Sequence, residues 1–434
     1  MSWSLPSRIA LVPLLLAAVV LAGAGRLPDQ ISSVDRNRAK QMSKQIFDEI
    51  RKNYFDPTFG GRDVEAIAAT VAERIDKAAS LGQALGLIAQ SLIEFNDSHL
   101  YFIPPARATK VSYDWRLQMI GDACFIVAVR PGGDAARQDV APGDRVLAID
   151  GFPPTRSQLW KQLYNYRLLN PRTAVTLKLE RQGPAARDVT VQSSVSQGRR
   201  SIDLAEEFDV LIREYENAAA ATRHQKVKVG DVLIWKMVDF DFDIDDTLKW
   251  ALNDARDVVF DLRGNPGGDA DALSAVVGRL FDRPVTIADL KGRKPIKPLV
   301  SRKSGRVVSG RVVAIVDSES GSAAELLARV LQIEKRGTVL GDRSSGSVRR
   351  SYHFHGKIGG DSVVLFGASI TDADVSMTDG RGLEHAGVVP DEIILPTAAD
   401  LAADRDPALS RAVALLGLTL DPAQAGKLFP REWK

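Results

Sequence analysis

The chain has 434 residues, which at about 150 residues per domain predicts roughly three domains. Its net charge is +2, from 57 basic and 55 acidic residues, and this balance gives no electrostatic reason to expect nucleic acid as a partner. The single cysteine, Cys124, excludes an intrachain disulfide and any site that needs several cysteines.

The first element in chain order has the pattern of a secretory signal. Arg8 precedes an apolar run from Ile9 to Leu21, and Ala22-Gly23-Ala24 supplies the small residues of a cleavage point. The run is shorter than the ~20 residues that cross a bilayer, although an uncleaved anchor helix remains the alternative. We therefore expect residues 1–24 to be a signal peptide and the remainder to be periplasmic or otherwise exported. Membrane contact is expected only through an uncleaved signal.

Helical spacing dominates the next segment. Apolar residues recur every three or four positions from Ile46 to Tyr54, from Ile67 to Ile75 and from Leu85 to Ile93. Breaks at Gly60-Gly61 and Ser80 separate these runs, and Pro104-Pro105 ends the last one. This pattern predicts an N-terminal helical domain over residues 25–105.

Residues 106–196 read as a small β-rich domain. Short apolar runs at Cys124–Val129, Val146–Ile149 and Ala174–Leu179 predict strands, and residues 157–168 predict one helix. Residues 197–434 then alternate strand-like and helix-like segments. That alternation predicts an α/β layer with buried strands, followed by a C-terminal helix.

One glycine-rich turn follows a buried strand in this α/β segment. The run from Asp261 to Gly268 reads Asp-Leu-Arg-Gly-Asn-Pro-Gly-Gly. Glycine lets backbone N–H groups approach a ligand or gather around an anion. A phosphate-binding loop is excluded because no Gly-Lys-Ser/Thr follows. The turn either cradles a ligand or is a tight strand-to-helix connection.

A serine at a predicted helix start is the second candidate. Ser320-Gly321-Ser322-Ala323-Ala324-Glu325 follows a strand that ends at Asp317. Ser322 and Glu325 fit an S-x-x-E capping box, which needs no catalytic role. The same geometry would expose a serine beside backbone N–H groups that can hold an oxyanion.

Two further motifs could supply a base and its partner. Ser98-His99 lies in the loop after the helical region, and histidine is the commonest general base near neutral pH. A histidine in a loop more often has a structural role. Glu384 is a candidate partner of the base only if it lies near His99. His353 and His355 alternate on a predicted strand without a third ligand in register, so we expect no metal and no cofactor.

Together these pieces resemble the tail-specific, or C-terminal processing, serine peptidase family, which includes the tricorn core proteins. The segments that carry the resemblance occur in the family's order: EFNDSHLYFIPP, GDACFIVAVRPGGDAARQDVAPGDRVLAIDG, VVFDLRGNPGG, VAIVDSESGSAAELLARVL and EHAGVVPDEII. The resemblance implies a crotonase-like catalytic core of β-β-α units and a PDZ-like domain at residues 106–196. It also implies that Ser322 is the nucleophile, with an oxyanion hole from Ala323 and a glycine of the Gly267-Gly268 pair.

The chain departs from the processing-peptidase branch at the base. That branch places a lysine in a glycine–lysine–glycine motif after the nucleophile, and Ser347 occupies this position here. Arg349 and Arg350 cannot replace it, because a guanidinium stays protonated. The tricorn-like branch instead implies His99, Ser98 and Glu384 as base and orienting groups.

We therefore predict an exported serine endopeptidase in which Ser322 attacks the peptide and His99 is the base. The PDZ-like domain would recruit proteins or peptides through their C-termini. The alternative is a non-catalytic peptide- or ligand-binding protein on the same scaffold. A crotonase-like enzyme that acts on acyl-thioesters is a third possibility, without support from the PDZ-like segment.

Overall fold

The computed structural model describes residues 30–106, 109–181, 183, 185–197, 223–241, 243–359 and 363–429. The expected signal peptide, residues 1–24, lies outside the described residues. No helix among the described residues is long and apolar enough to cross a membrane.

Three helices form the N-terminal region, as the helical spacing predicts: α1 (Ser33–Asn53), α2 (Val64–Asp76) and α3 (Leu81–Ile93). Each helix begins after a capping side chain that accepts a backbone N–H of the first turn. These caps are Ser32, Asp63 and Ser80. The helices bury a shared apolar core and pack on a β-hairpin described below.

A small β domain follows. Its five-stranded antiparallel sheet has the order β3-β4-β5-β6-β7. The strands are β3 (Trp115–Ile120), β4 (Ala123–Val129), β5 (Arg145–Ile149), β6 (Ala174–Glu180) and β7 (Arg187–Gln192). Two short helices, α4 (Asp134–Arg137) and α5 (Leu159–Tyr164), connect them, and a π turn (Asn165–Leu169) extends α5. The pair β2 (Thr109–Ser112) and β8 (Ser194–Gln197) joins the two ends of this domain.

The α/β layer is built on a six-stranded sheet with the order β18-β15-β14-β11-β10-β9. Neighbouring strands run parallel except β9, which is antiparallel to β10. The strands are β9 (Gln225–Val229), β10 (Val232–Lys236), β11 (Asp257–Asp261), β14 (Val312–Val316), β15 (Thr338–Gly341) and β18 (Glu392–Ile393). The central strands are continuous apolar runs because helices cover both faces of the sheet.

Alternate residues of these strands enter two different cores. Phe260 packs toward α6 (Ile244–Leu252), α7 (Ala270–Gly278) and α8 (Ala323–Ile333). Val259, one residue earlier, packs toward the opposite face. The helices on that face are α10 (Pro407–Leu415) and α11 (Pro422–Gly426), and the short helix α9 (Ala398–Ala402) precedes them.

A second sheet connects the helical region to the α/β layer. Its long hairpin consists of β16 (Arg349–Ile358) and β17 (Val364–Met377). The other strands are β1 (Tyr101–Ile103), β12 (Thr286–Lys291) and β13 (Leu299–Val300). Strand β1 pairs antiparallel with β17, which places the loop that precedes β1 against the α/β layer. The predicted mixed α/β architecture with N-terminal helices is confirmed.

Candidate active site

Ser322 lies on a sharp turn between β14 and α8. Its backbone has φ 49° and ψ −117°, a conformation that L-residues rarely adopt. Ser320, which is buried, supports the turn because its hydroxyl donates to the carbonyl of Leu262 at 2.8 Å. The turn therefore projects Ser322 from the end of a buried parallel strand, a placement also found in strained nucleophile turns.

The glycine-rich turn after β11 lies directly against Ser322. A Cβ added to Gly267 would lie 2.6 Å from the Cβ of Ser322 and 3.0 Å from the amide nitrogen of Ala323. Gly267 has φ 107°, so both the contact and the backbone conformation require glycine. The two sequence motifs are thus in contact.

The backbone donors beside Ser322 differ in their availability. The N–H of Gly267 donates to Asn265 Oδ1 at 2.8 Å. For the N–H groups of Gly268 and Ala323 the structure shows no hydrogen bond to another described residue. Gly268 and Ala323 therefore offer the two N–H groups that can receive a developing oxyanion.

The side chain of Asn265 stabilises the glycine-rich turn through hydrogen bonds. The sequence did not reveal this role. Asn265 is fully buried, its side-chain nitrogen donates to the carbonyl of Met237 at 2.9 Å, and its own carbonyl accepts the N–H of Gly321 at 2.8 Å. Its position within the glycine-rich motif is the only sequence signal for it.

A hydrogen-bonded chain joins Glu384, Ser98 and His99, which are far apart in the sequence. The Ser98 hydroxyl donates to Glu384 Oε2 at 2.8 Å and lies 2.9 Å from His99 Nδ1. The Ser98 N–H donates to Glu384 Oε1 at 2.9 Å. Because the carboxylate takes the Ser98 proton, His99 Nδ1 is assigned as the donor to the Ser98 oxygen, which leaves Nε2 as the basic nitrogen.

Asp97 holds the His99 loop in place, a role that its position in the Asp97-Ser98-His99 segment did not reveal. This buried carboxylate accepts the N–H of His99 at 2.9 Å and the hydroxyls of Thr371 and Tyr54 at 2.8 and 3.1 Å. It thereby ties the loop to β17 and to Tyr54, the residue that follows α1. Burial raises the pKa of the Tyr54 hydroxyl, and the nearby Asp97 carboxylate raises it further.

One loop, residues 344–348, connects the Ser322 turn with the Glu384 chain. The N–H of Ser322 donates to the carbonyl of Ser347 at 2.8 Å, and the N–H of Val348 donates to Glu384 Oε2 at 2.9 Å. Ser347, at the position where the related branch carries a lysine, thus contributes its backbone to the site.

Glu325 anchors the same loop from helix α8. Its buried carboxylate accepts the N–H groups of Gly346, Ser347 and Ser322 and the hydroxyls of Ser344 and Ser345, over 2.6 to 3.2 Å. Desolvation raises its pKa to about 7, although these donors act in the opposite direction. Glu325 therefore does more than the helix capping that the sequence suggests.

Among the described residues no group of three His, Cys, Asp or Glu side chains is arranged to hold a metal ion.

Comparison with known families gives one match to the α/β layer. The family model described as "Peptidase family S41" matches residues 228–394, which include the glycine-rich turn, Ser322 and Glu384.

Curated relatives are distant in sequence. A protein named as a tricorn protease homolog, from Streptomyces coelicolor, is 24% identical over 399 residues, and the match spans 86% of this chain but only 32% of that protein. A carboxyl-terminal-processing protease of a Picosynechococcus species is 22% identical over 366 residues, covering 81% of this chain and 82% of the relative.

Solved structures share the fold at low identity. The structure of mature CPAF aligns with a TM-score of 0.62 and 14% identity over 85% of this chain and 95% of its own. The photosystem II D1 C-terminal processing protease aligns with a TM-score of 0.53 and 15% identity over 91% of this chain and all of its own.

Proposed function

We propose that this chain is an exported serine endopeptidase with Ser322 as nucleophile and His99 as base. The match of residues 228–394 to the family model described as "Peptidase family S41" supports a protease. The observation that carries this proposal is the chain from Glu384 through Ser98 to His99, which one loop connects to the Ser322 turn. A serine hydroxyl is a poor nucleophile until a base removes its proton, and these groups supply that base.

The reaction follows from the roles of the groups. His99 Nε2 takes the proton of the Ser322 hydroxyl while the Ser322 oxygen attacks the peptide carbonyl. The N–H groups of Gly268 and Ala323 receive the negative charge of the tetrahedral intermediate. His99 then gives its proton to the leaving amine. Water next attacks the acyl carbonyl while His99 takes a proton from it, and the bond to the Ser322 oxygen breaks as His99 returns that proton to Ser322. Glu384, acting through Ser98, stabilises the cationic imidazole.

The position of the small β domain supports recruitment of a peptide close to Ser322. Its strand β3 contacts the loop before Ser322, because the Ser318 hydroxyl donates to the carbonyl of Met119 at 2.6 Å and the Gln118 amide donates to Asp317 Oδ2 at 2.6 Å. We propose that this domain, residues 106–196, is PDZ-like and binds the C-terminal segment of protein substrates as an added strand. The names of the two processing proteases among the similar proteins favour C-terminal segments.

The apolar run of residues 9–21 supports export, and the protein is expected to act outside the cytoplasm.

The test uses a fluorophosphonate probe and fluorescent casein as a general unfolded substrate. Wild-type protein should be labelled and should cleave casein, whereas Ser322→Ala should lose labelling and about 10⁴-fold or more of kcat/KM. Ser410→Ala, which removes a hydroxyl that donates to the carbonyl of Leu420 on the far face of the sheet, should behave as wild type. Equal labelling of wild type and Ser322→Ala would contradict the proposal. Binding of peptides without any cleavage would support a non-catalytic binding protein instead.

A further inference from the structure

Arg349, the first residue of β16, lies beside the carboxylate of Glu384. Its Nε is 3.9 Å from Glu384 Oε1, and this buried nitrogen has no hydrogen-bond partner. The other end of the guanidinium forms an ion pair with Asp374 of β17. The group lies 4.8 Å from the ring centre of Phe55, and only 17% of the side chain is exposed.

Glu384 needs a nearby positive charge because its side chain is only 8% exposed. Its hydrogen-bond donors, the Ser98 N–H, the Ser98 hydroxyl and the Val348 N–H, are all uncharged. Removal of a carboxylate from water costs free energy that neutral donors offset only in part. Within the described part of the chain, Arg349 is the one lysine or arginine in ion-pair contact with Glu384.

Other ionisable groups around Glu384 are less suited to this role. His385 Nε2 is 3.5 Å from Glu384 Oε1, but it lies 2.8 Å from the carbonyl of Asn96 and its side chain is half exposed. Asp97 accepts the N–H of His99 at 2.9 Å, and Glu325 accepts the N–H of Ser347 at 2.9 Å in the 344–348 loop. Both can add only negative charge, which makes a cation beside Glu384 more important.

The charge of Glu384 also sets the direction of the hydrogen-bonded chain. A charged Glu384 accepts the Ser98 proton, so that Ser98 accepts from His99 Nδ1 and His99 Nε2 carries a lone pair. A protonated Glu384 can donate to Ser98 instead. Ser98 then donates to His99 Nδ1, the ring proton moves to Nε2, and this nitrogen can no longer take the proton of a serine.

We propose that Arg349 is a positioning residue that keeps Glu384 charged and thereby holds His99 in the tautomer that acts as a base. This inference rests on the proposed serine peptidase function. Arg349 itself contacts neither the nucleophile nor the proton that is transferred.

The experiment measures the rate constant of fluorophosphonate labelling at Ser322 from pH 5 to pH 9.5. In wild type this rate should rise with a midpoint near the ordinary range of histidine, about pH 6.5. In Arg349→Gln the midpoint should move to higher pH, because loss of the adjacent cation favours protonation of the Glu384–Ser98–His99 chain. The loss of rate should therefore be several-fold at pH 6 and should become small at pH 9. Arg349→Lys, which keeps the charge, should restore a midpoint close to that of wild type.

Two matched controls separate charge from structure. Arg350→Gln removes a similar ion pair on the same strand. In it, the Arg350 guanidinium donates to the two Asp372 carboxylate oxygens at 2.7 and 2.9 Å, and Glu384 takes no part. Asp374→Asn removes the ion pair of Arg349 but leaves its guanidinium beside Glu384. Neither variant should move the midpoint to higher pH, and Asp374→Asn tests the idea even if Arg349→Gln fails to fold.

An equal loss of rate at every pH in Arg349→Gln, or an alkaline shift in either control, would overturn the role of Arg349. If wild type is labelled at Ser322 and Arg349→Gln keeps the wild-type midpoint, only this inference fails. If wild type is not labelled at any pH, the proposed peptidase function fails first.

Discussion

At the scale of single residues, the site depends on backbone conformations that few side chains permit. Ser322 has a positive φ, and Gly267 packs on it so closely that no Cβ fits between them. Such strain persists only where the surrounding structure fixes it, here through Asn265 and Ser320. The N–H groups of Gly268 and Ala323 are consequently held in place before a substrate arrives.

Gly267→Ala should therefore lower kcat by about 10²–10³-fold, because the new methyl group displaces Ser322 and the adjacent N–H donors. Steady-state hydrolysis of fluorescent casein measures this loss. Gly380→Ala is the matched control, since Gly380 also has a positive φ of 79° but has open space where a Cβ would lie. If Gly380→Ala loses as much activity as Gly267→Ala, general backbone strain explains the effect and the contact with Ser322 does not.

At the scale of secondary-structure elements, helix α8 and the 344–348 loop behave as one unit because Glu325 joins them. A buried carboxylate that accepts five donors fixes the loop relative to the helix start. The same loop supplies the Val348 N–H to Glu384. The helix therefore positions Ser322 and the acid of the hydrogen-bonded chain together.

The raised pKa of Glu325, about 7, makes stability depend on pH. Between pH 4.5, its ordinary value, and pH 7 the folded chain keeps a proton that the unfolded chain has released, so stability falls as pH rises through this window. Relative to Glu325→Gln, wild type should lose up to about 3 kcal/mol of unfolding free energy across this range and change little above it. Urea unfolding of both proteins at several pH values measures the difference. A difference that stays constant from pH 4.5 to pH 8 would show that Glu325 does not titrate there.

At the scale of the whole molecule, the small β domain is fastened to the α/β layer next to the 344–348 loop. Asp342 Oδ2 accepts the N–H of Gly121 at 2.8 Å and a guanidinium N–H of Arg156 at 2.5 Å. Arg156 also donates to the carbonyls of Gly121 and Arg343 at 2.8 and 2.9 Å. The turn between β3 and β4 is therefore held by Asp342 and, through Arg156, by Arg343, the two residues that precede the 344–348 loop.

Asp342→Ala should release this turn, since it leaves Arg156 Nη2 and the Gly121 N–H without their shared acceptor at a cost of about 1–3 kcal/mol, although Arg156 keeps its bonds to two carbonyls. Hydrogen exchange followed by mass spectrometry should show faster exchange in residues 118–123 and 344–348, with α1 unchanged. Glu180→Ala removes an exposed ion pair with Arg145 inside the same domain and should leave these segments as in wild type. Unchanged exchange in Asp342→Ala would mean that other contacts hold the domains together.

Local patterns predicted several elements of the fold well. Helical spacing placed α1, α2 and α3, and apolar runs bounded by glycine turns placed β4, β5 and β6 within about two residues. The same reasoning did not reveal Asn265, Asp97 or Arg349, because each acts through partners distant in the chain. Glu325 was visible only as a helix cap, since its partners in the 344–348 loop follow an intervening strand.

The sequence by itself determined the helical and strand segments, the order of the motifs and the candidate residues of the site, because these depend on local spacing and composition. Only the tertiary structure decided which of these residues meet. The pairing of β1 with β17 brings Ser98 and His99 to Glu384, 286 positions away from Ser98. Close packing places Gly267 on Ser322 and leaves Arg349 beside a buried carboxylate. Such contacts arise from long-range packing and burial, which no local pattern in the chain records.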